Sequence, residues 1–252
     1  MANIETLITK QWLIDRYMVG VDLTDDNGDA FPDAVFTGQI AAAISEIEGI
    51  LDIVINPRTV TAEKHDDTMG MYAWPNFGPV MLRKRPVRSL TSVECKWGQN
   101  ATMTLPTSWL NMGDTSPDFG GDMTIIPTSE SVTYPLTPFG LPYFYRDVTP
   151  LWFRVTYEAG YADPSTETDP LILDYIGLRA AMLPLDIAGN LIAGAGIATK
   201  SVGLDSLSTS IGTTSSATSS GYGSTIISYQ NRIKVLLPAL QAKYRRINLA
   251  VL

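Results

Sequence analysis

Histidine and cysteine are nearly missing from this chain: among 252 residues there is one of each, His65 and Cys95. A single cysteine cannot close an internal disulfide. With one histidine there is no second imidazole for a zinc site, and His65 has only Asp66 and Asp67 beside it, residues too close in sequence to converge on one ion. A surface loop is the expected setting. No GxSxG elbow accompanies a base, and the 26 acidic residues include no pair in an evidently apolar setting, so neither hydrolysis by a nucleophile nor paired-carboxylate chemistry has its parts. We therefore expect no catalytic residues, no metal ligands and no cofactor, in short no enzyme. Cations are also scarce, 18 against the 26 acids for a net charge of −8, which argues against general affinity for nucleic-acid phosphates. No apolar run reaches the roughly 18 residues of a membrane span. No basic-then-apolar leader opens the chain, so synthesis in a reducing cytoplasm and no membrane partner are expected.

What is present is an ordinary hydrophobic share, 45%, enough for a packed core. Thr9 precedes Lys10 to Tyr17, which reads as a short N-capped helix with Leu13, Ile14 and Tyr17 on one side. The acidic loop DLTDDNGDAFPD, residues 22–33, has Asp25, Asn27 and Asp29 at alternate positions. Its glycine falls at the fourth place of that run and no Glu follows at the twelfth, so a calcium loop fails and a solvated capping loop is expected. From Asp33 to Asn56, Ile40, Ile44, Ile47, Leu51 and Val54 recur every three or four residues while Glu46, Glu48 and Asp52 project elsewhere. That spacing predicts the seam of a helix bundle, stopped at Asn56-Pro57.

Residues 57–80 look irregular. Arg83, Lys84, Arg85 and Arg88 then form a dense basic cluster, either a solvated strand face or a contact with an acidic partner or a neighbouring subunit. From Val93 to Ile126 short β-prone runs alternate with turn residues, predicting hairpins with Cys95 facing their interior. After Pro-rich residues 127–150 comes the most informative stretch, Leu151 to Ile187. Trp152, Arg154, Thr156 and Glu158 alternate with Phe153, Val155 and Tyr157, a half-buried strand that Gly160 ends. Asp169-Pro170 supplies a cap and a preset first helical residue for a helix with Leu171, Ile172, Tyr175, Ile176, Leu178, Met182 and Leu183 on an apolar face. Pro184 is expected to kink or end it.

The Gly/Ala run after Pro184 lacks both GxGxxG and GK[ST] and is discounted as a nucleotide loop. Ser206 to Thr225 has little apolar area and is expected to be flexible or ordered by a partner. A last helix over about Thr225 to Arg246 carries Pro238 inside it and only basic charges, followed by an apolar tail.

The order of these segments resembles the head–tail connector (adaptor) proteins of tailed bacteriophages. The residues that carry the likeness are LITKQWLIDRYM at 7–18, QIAAAISEIEGILDIV, RPVRSLTSV at 85–93, VTYEAGY at 155–161 and KSVGLDSLSTS at 200–210. The β region and the Ser/Thr-rich segment are longer than in the plain family pattern. The resemblance implies an α+β fold, mainly an α-helical bundle with an inserted antiparallel β-hairpin region. Residues 1–80 would hold the N-terminal helices and loop, 81–160 the β-rich insertion, and 161–252 the closing helices.

It further implies a virion structural protein of the neck, assembled in the host cytoplasm as a dodecameric ring. The ring would bind the portal protein, receive a tail terminator, stopper or tail-tube protein, and let genomic DNA pass through its acidic channel without sequence-specific binding. On that reading Arg232, Lys234, Lys243, Tyr244, Arg245, Arg246, Leu249 and Leu252 bind the portal, and Arg83, Lys84, Arg85 and Arg88 lie between subunits. A different class remains open: an accessory decoration or carbohydrate-binding module whose β insertion presents Trp97, Trp109 and Phe119.

Overall fold

The computed structural model describes residues 3–68, 80–97, 101–112, 121–126, 148–193, 199–204, 207–212 and 221–244. In chain order the elements are α1 (Ile4–Leu7), α2 (Lys10–Tyr17) and α3 (Asp33–Leu51), then β1 (Arg58–Thr68), β2 (Val80–Met81), β3 (Val87–Trp97) and β4 (Ala101–Thr104). These are followed by β5 (Leu110–Met112), β6 (Asp122–Ile125), β7 (Val148–Ala159), α4 (Pro164–Glu167), α5 (Pro170–Ala193), β8 (Thr199–Leu204), β9 (Leu207–Gly212) and α6 (Gly223–Tyr244). The chain is α+β and divides into two units, one built from Asp52–Glu167 and the other from Ile4–Leu51 with Thr168–Arg245.

The helical unit forms where caps and periodicity predict it. The Thr9 hydroxyl accepts from Trp12 N at 3.2 Å and starts α2. Asp169 Oδ1 accepts from Leu171 N at 2.8 Å and starts α5. Ile40, Ile44, Ile47 and Leu51 of α3 are buried, as are Ile172, Tyr175, Ile176, Ala180 and Leu185 of α5, the helix against which α3 packs. Glu46 does not project away from this seam. It accepts from Tyr175 Oη at 3.0 Å and from Arg179 Nε at 2.8 Å, a polar clasp at its edge.

Contrary to the expected absence of any such run, α3 is long and apolar enough, by length and composition, to cross a membrane. Here its apolar face is occupied by the rest of the unit. Nor does α3 continue to Asn56. Asp52 adopts φ 56°, a left-handed conformation that stops the helix, and Ile53, Val54 and Ile55 continue buried outside it. Their β-branching fits extended chain, and Val54 joins the core of the other unit. Pro184 and Pro238 both lie inside continuous helices, so Pro184 does not end α5. The Ser/Thr-rich region is partly regular: β8 and β9 pair antiparallel from Thr199–Gly212 to Leu204–Leu207.

In the β unit, strands order as β1-β7-β3-β4 in one antiparallel sheet and β2-β6-β5 in another. The α+β expectation holds, and a β unit with two sheets stands beside the helices instead of a small hairpin insertion. Asp52–Glu167 carries its own core, in which Val93, Phe153, Val155, Tyr157 and Ala159 are almost fully buried. The largest departure from the sequence reading is β1, which occupies residues 58–68 where an irregular loop was expected. Its pairing with β7 shifts between Val60 and Glu63, where Ala62 takes φ 51° and donates its N–H to Thr156 Oγ1 at 3.1 Å. That extra residue reverses the alternation of the strand, so Glu63 and His65 pair with Val155 and Phe153, whose side chains line the core face. A two-residue period does not survive such a bulge.

The β7 strand ends at Gly160, φ 102°, where a Cβ would meet Asn56 O at 2.5 Å and Asn56 C at 2.8 Å. Both its conformation and its surroundings demand glycine. Gly160→Val is expected to destabilise the protein by about 3 kcal/mol or more. In the same urea titration, Gly49→Ala, on an exposed helical position with open space around the added methyl, should stabilise by about 0.5–1 kcal/mol. A Gly160→Val protein as stable as the parent would refute the close-approach account.

Candidate functional site

In a chain read as an assembly protein, the site is a surface, and two candidate surfaces arise from the basic clusters. The first is α6. Arg232 contacts Asp174 Oδ2 through Nε at 2.9 Å and Nη2 at 2.8 Å, while Tyr17 Oη donates to Asp174 Oδ1 at 3.0 Å. Lys243 Nζ donates to Asp169 Oδ2 at 2.9 Å, and buried Tyr244 donates to the same oxygen at 3.4 Å. The Asp169 carboxyl is pushed up by burial. The Leu171 N–H, then Lys243 and Tyr244, outweigh that and hold it below the usual carboxylate range.

Three of the residues singled out on the last helix are thus engaged with α5 acids inside the helical unit. Counting charges along one helix missed them because Asp169 and Asp174 lie far away in sequence. Lys234 is exposed, next to Val235 at 75% exposure. Arg245, Arg246, Leu249 and Leu252 lie outside the described residues.

The second surface is the basic stretch between β2 and β3, which the β unit holds in place through one buried polar cluster. Tyr157 Oη donates to Glu63 Oε2 at 2.6 Å, His65 Nε2 donates to Glu63 Oε1 at 2.6 Å, and Arg83 N donates to the same oxygen at 2.9 Å. Lys84 N donates to Tyr157 Oη at 3.0 Å. So the one histidine of the chain lies in a strand, with its side chain 10% exposed, and serves as a tie instead of standing in a surface loop. Burial alone would raise the Glu63 carboxyl. The hydrogen bonds from His65, Tyr157 and Arg83 N prevail and lower it, while burial and the bond to Glu63 push the Tyr157 phenol upward.

The four basic residues of this stretch have different fates. Arg83 is exposed and Lys84 half-buried. The stem of Arg85 lies against Gly121, where a Cβ would meet its Cγ at 2.5 Å. Arg88 is the extra residue where the β3–β7 register shifts between Val87 and Ser89, and such bulges re-aim a side chain. It lines a cleft of about 240 Å³ with Pro86, Gly160, Ala162 and Glu167, and a second of about 140 Å³ with Pro57, Arg58, Thr59 and Glu158. Arg58 escaped the sequence reading because its strand did.

The remaining candidates contribute less. Trp109 is 3% exposed and belongs to the β core, so it lines no surface. Phe119 and the side chain of Trp97 lie outside the described residues. In the acidic loop, Asp25 Oδ1 accepts from Asn27 N and Asp29 N at 2.9 Å each, so the carboxylate caps its own turn. Among the described residues no group of three or more His, Cys, Asp or Glu side chains could hold a metal ion.

No protein-family model matches the chain, and no curated protein does. Solved structures to which it is similar include the neck of a native GTA particle computed with C12 symmetry, at 15% identity and a TM-score of 0.38 over 59% of this chain and 69% of that one. The neck of an empty GTA particle computed with C6 symmetry gives 17% identity and a TM-score of 0.40 over 72% of this chain and 79% of that one. The virion of a native gene transfer agent particle gives 17% and 0.42 over the same shares.

The cluster around Glu63 makes an acid-sensitive tie. Its folded carboxyl lies below the ordinary value of 4.5, so its contribution is complete above that pH and is lost as pH falls through the folded value. Glu63→Gln is expected to lower unfolding free energy by about 2 kcal/mol near neutral pH, and the gap to wild type should shrink as the solution is acidified. Unfolding curves that stay equally far apart into the acid range would contradict this.

Proposed function

We propose that this chain is a structural neck protein of a tailed, phage-like particle, a head–tail connector that assembles as a dodecameric ring beneath the portal. One observation carries the reading, the order of its segments. A short capped helix and a long seam helix precede a β unit closed by the VTYEAGY strand, and a second long helix follows that packs back on the first. That is the order on which the resemblance to connector proteins rests.

Charge and chemistry support the same role. A net charge of −8 suits a channel wall past which DNA slides without sticking. The buried His, Glu and Tyr groups join strands to a basic link, a structural use of polar side chains. In this role the ring extends the DNA channel of the portal and offers its far side to a terminator, stopper or tube protein. A head-to-tail interface between identical subunits closes when its rotation fits the ring.

Portal docking falls to the end of the chain. Arg232, Lys243 and Tyr244 bind inward to Asp174 and Asp169, so the docking role concentrates on Lys234 and on Arg245, Arg246, Leu249 and Leu252, which follow Tyr244 in the sequence. Electron microscopy of particles carrying the protein should show a twelve-fold ring directly below the portal; a neck without that density would refute the assignment. Deleting residues 245–252 should abolish attachment to portal-bearing capsids while leaving the thermal transition of the isolated protein in place. Unchanged attachment would remove the docking role of the tail.

A further inference from the structure

The two clefts that meet at Arg88 present two guanidinium groups, Arg58 and Arg88, both exposed and neither in an ion pair with a carboxylate among the described residues. Two acids also line these clefts, Glu158, whose Oε2 accepts from Ser89 Oγ at 3.2 Å, and Glu167, whose Oε2 accepts from Ala162 N at 2.8 Å, and neither is paired with either guanidinium. The clefts therefore offer two forked guanidinium donors with unspent capacity for carboxylates.

The same chain carries a ligand of matching chemistry. Residues 22–33 form a stiff finger. Thr24 and Ala30 make an antiparallel bridge, Phe31 N donates to Leu23 O at 2.9 Å, Asp25 N donates to Asp29 O at 2.8 Å, and Gly28 N donates to Asp25 O at 2.9 Å. Phe31 is buried and roots the base of the finger. Asp22 accepts from Thr24 N and Oγ1, Asp25 is consumed by capping the turn, and Asp33 pairs with Lys10. That leaves exposed Asp26 and Asp29 at the tip, on a backbone already ordered by its own hydrogen bonds.

We propose that the clefts are the socket for this finger from a second copy of the chain, with Asp26 and Asp29 of one subunit meeting Arg58 and Arg88 of the next. The contact is head-to-tail: socket and finger are different surfaces, so each subunit uses both and the chain of contacts can close into a ring. It rests on the ring reading above and gives that ring its charge code. It also narrows the basic cluster to Arg88 and adds Arg58, the residue that shares its cleft.

The test is a charge swap in the full-length protein, scored as ring occupancy on portal-bearing particles by electron microscopy. Arg58→Asp with Arg88→Asp, and separately Asp26→Arg with Asp29→Arg, should each cut occupancy by roughly tenfold or more at low salt. All four changes together should restore much of it. As a second reading, Asp26→Cys with Arg88→Cys should give a ladder of covalently linked oligomers with a bifunctional maleimide that spans the reach of an Arg–Asp pair, since the native Cys95 is buried.

Wild-type rings with unaffected reversal variants and no ladder would overturn the finger-and-socket contact while leaving the connector reading intact. Loss in both reversal variants without recovery in the fourfold variant would overturn direct pairing and point to an acidic segment of another protein in the socket. Absence of rings from wild-type particles would remove the connector reading and this contact with it. Circular dichroism melts of each variant separate these results from misfolding.

Discussion

The β unit depends on one close approach, that of the Gly160 backbone to Asn56 and Pro57. Strand β7 pairs with β1 on one side and β3 on the other, and at its end Gly160 N donates to Pro86 O at 2.9 Å while Tyr161 N donates to Ile55 O at 3.1 Å. Three passages of chain are thus drawn together at a point where a Cβ would collide with a carbonyl 2.5 Å away. The clefts that bring Arg88 beside Arg58 lie around this junction. Their existence follows from a residue that has no side chain.

In the helical unit the corresponding device is a pair of acids on α5. Asp169 caps its own helix and holds Lys243 and Tyr244, and Asp174 holds Tyr17 and Arg232. Each carboxylate therefore does a local task and a tertiary one, tying α2 and α6 to α5. Exposed ion pairs contribute little alone, but hydrogen-bonded groups that share an acceptor with a buried tyrosine fix which faces of the helices meet. The price is that the most conspicuous cations of α6 are turned inward, and the docking chemistry of that helix moves toward its exposed and terminal residues.

Two of the bulges in the β unit have opposite consequences. At Ala62 the bulge carries Glu63 and His65 into the interior, where they form a tie to Tyr157 and to the Arg83–Lys84 backbone. At Arg88 it frees a cation toward the clefts. One kind of backbone irregularity thus hides two titratable groups and presents a third.

The sequence by itself determined the helices and the central strand, because those signals are local. Thr9 and Asp169 cap within three residues of themselves, the spacing of Ile40, Ile44, Ile47 and Leu51 marks one face of a helix, and Phe153, Val155 and Tyr157 alternate without interruption. The tertiary structure alone decided the rest. Residues 58–68 read as irregular because a bulge breaks their period. Asp52 stops α3 five residues before the expected end by taking a left-handed φ, which Asp tolerates but does not by itself dictate. Pro184 stays inside a helix that packing sustains against its local preference. The partners of Arg232, Lys243 and His65, and the meeting of Arg58 with Arg88, depend on chain segments brought together from tens of residues apart. Local chemistry chooses an element, whereas only packing chooses what that element faces.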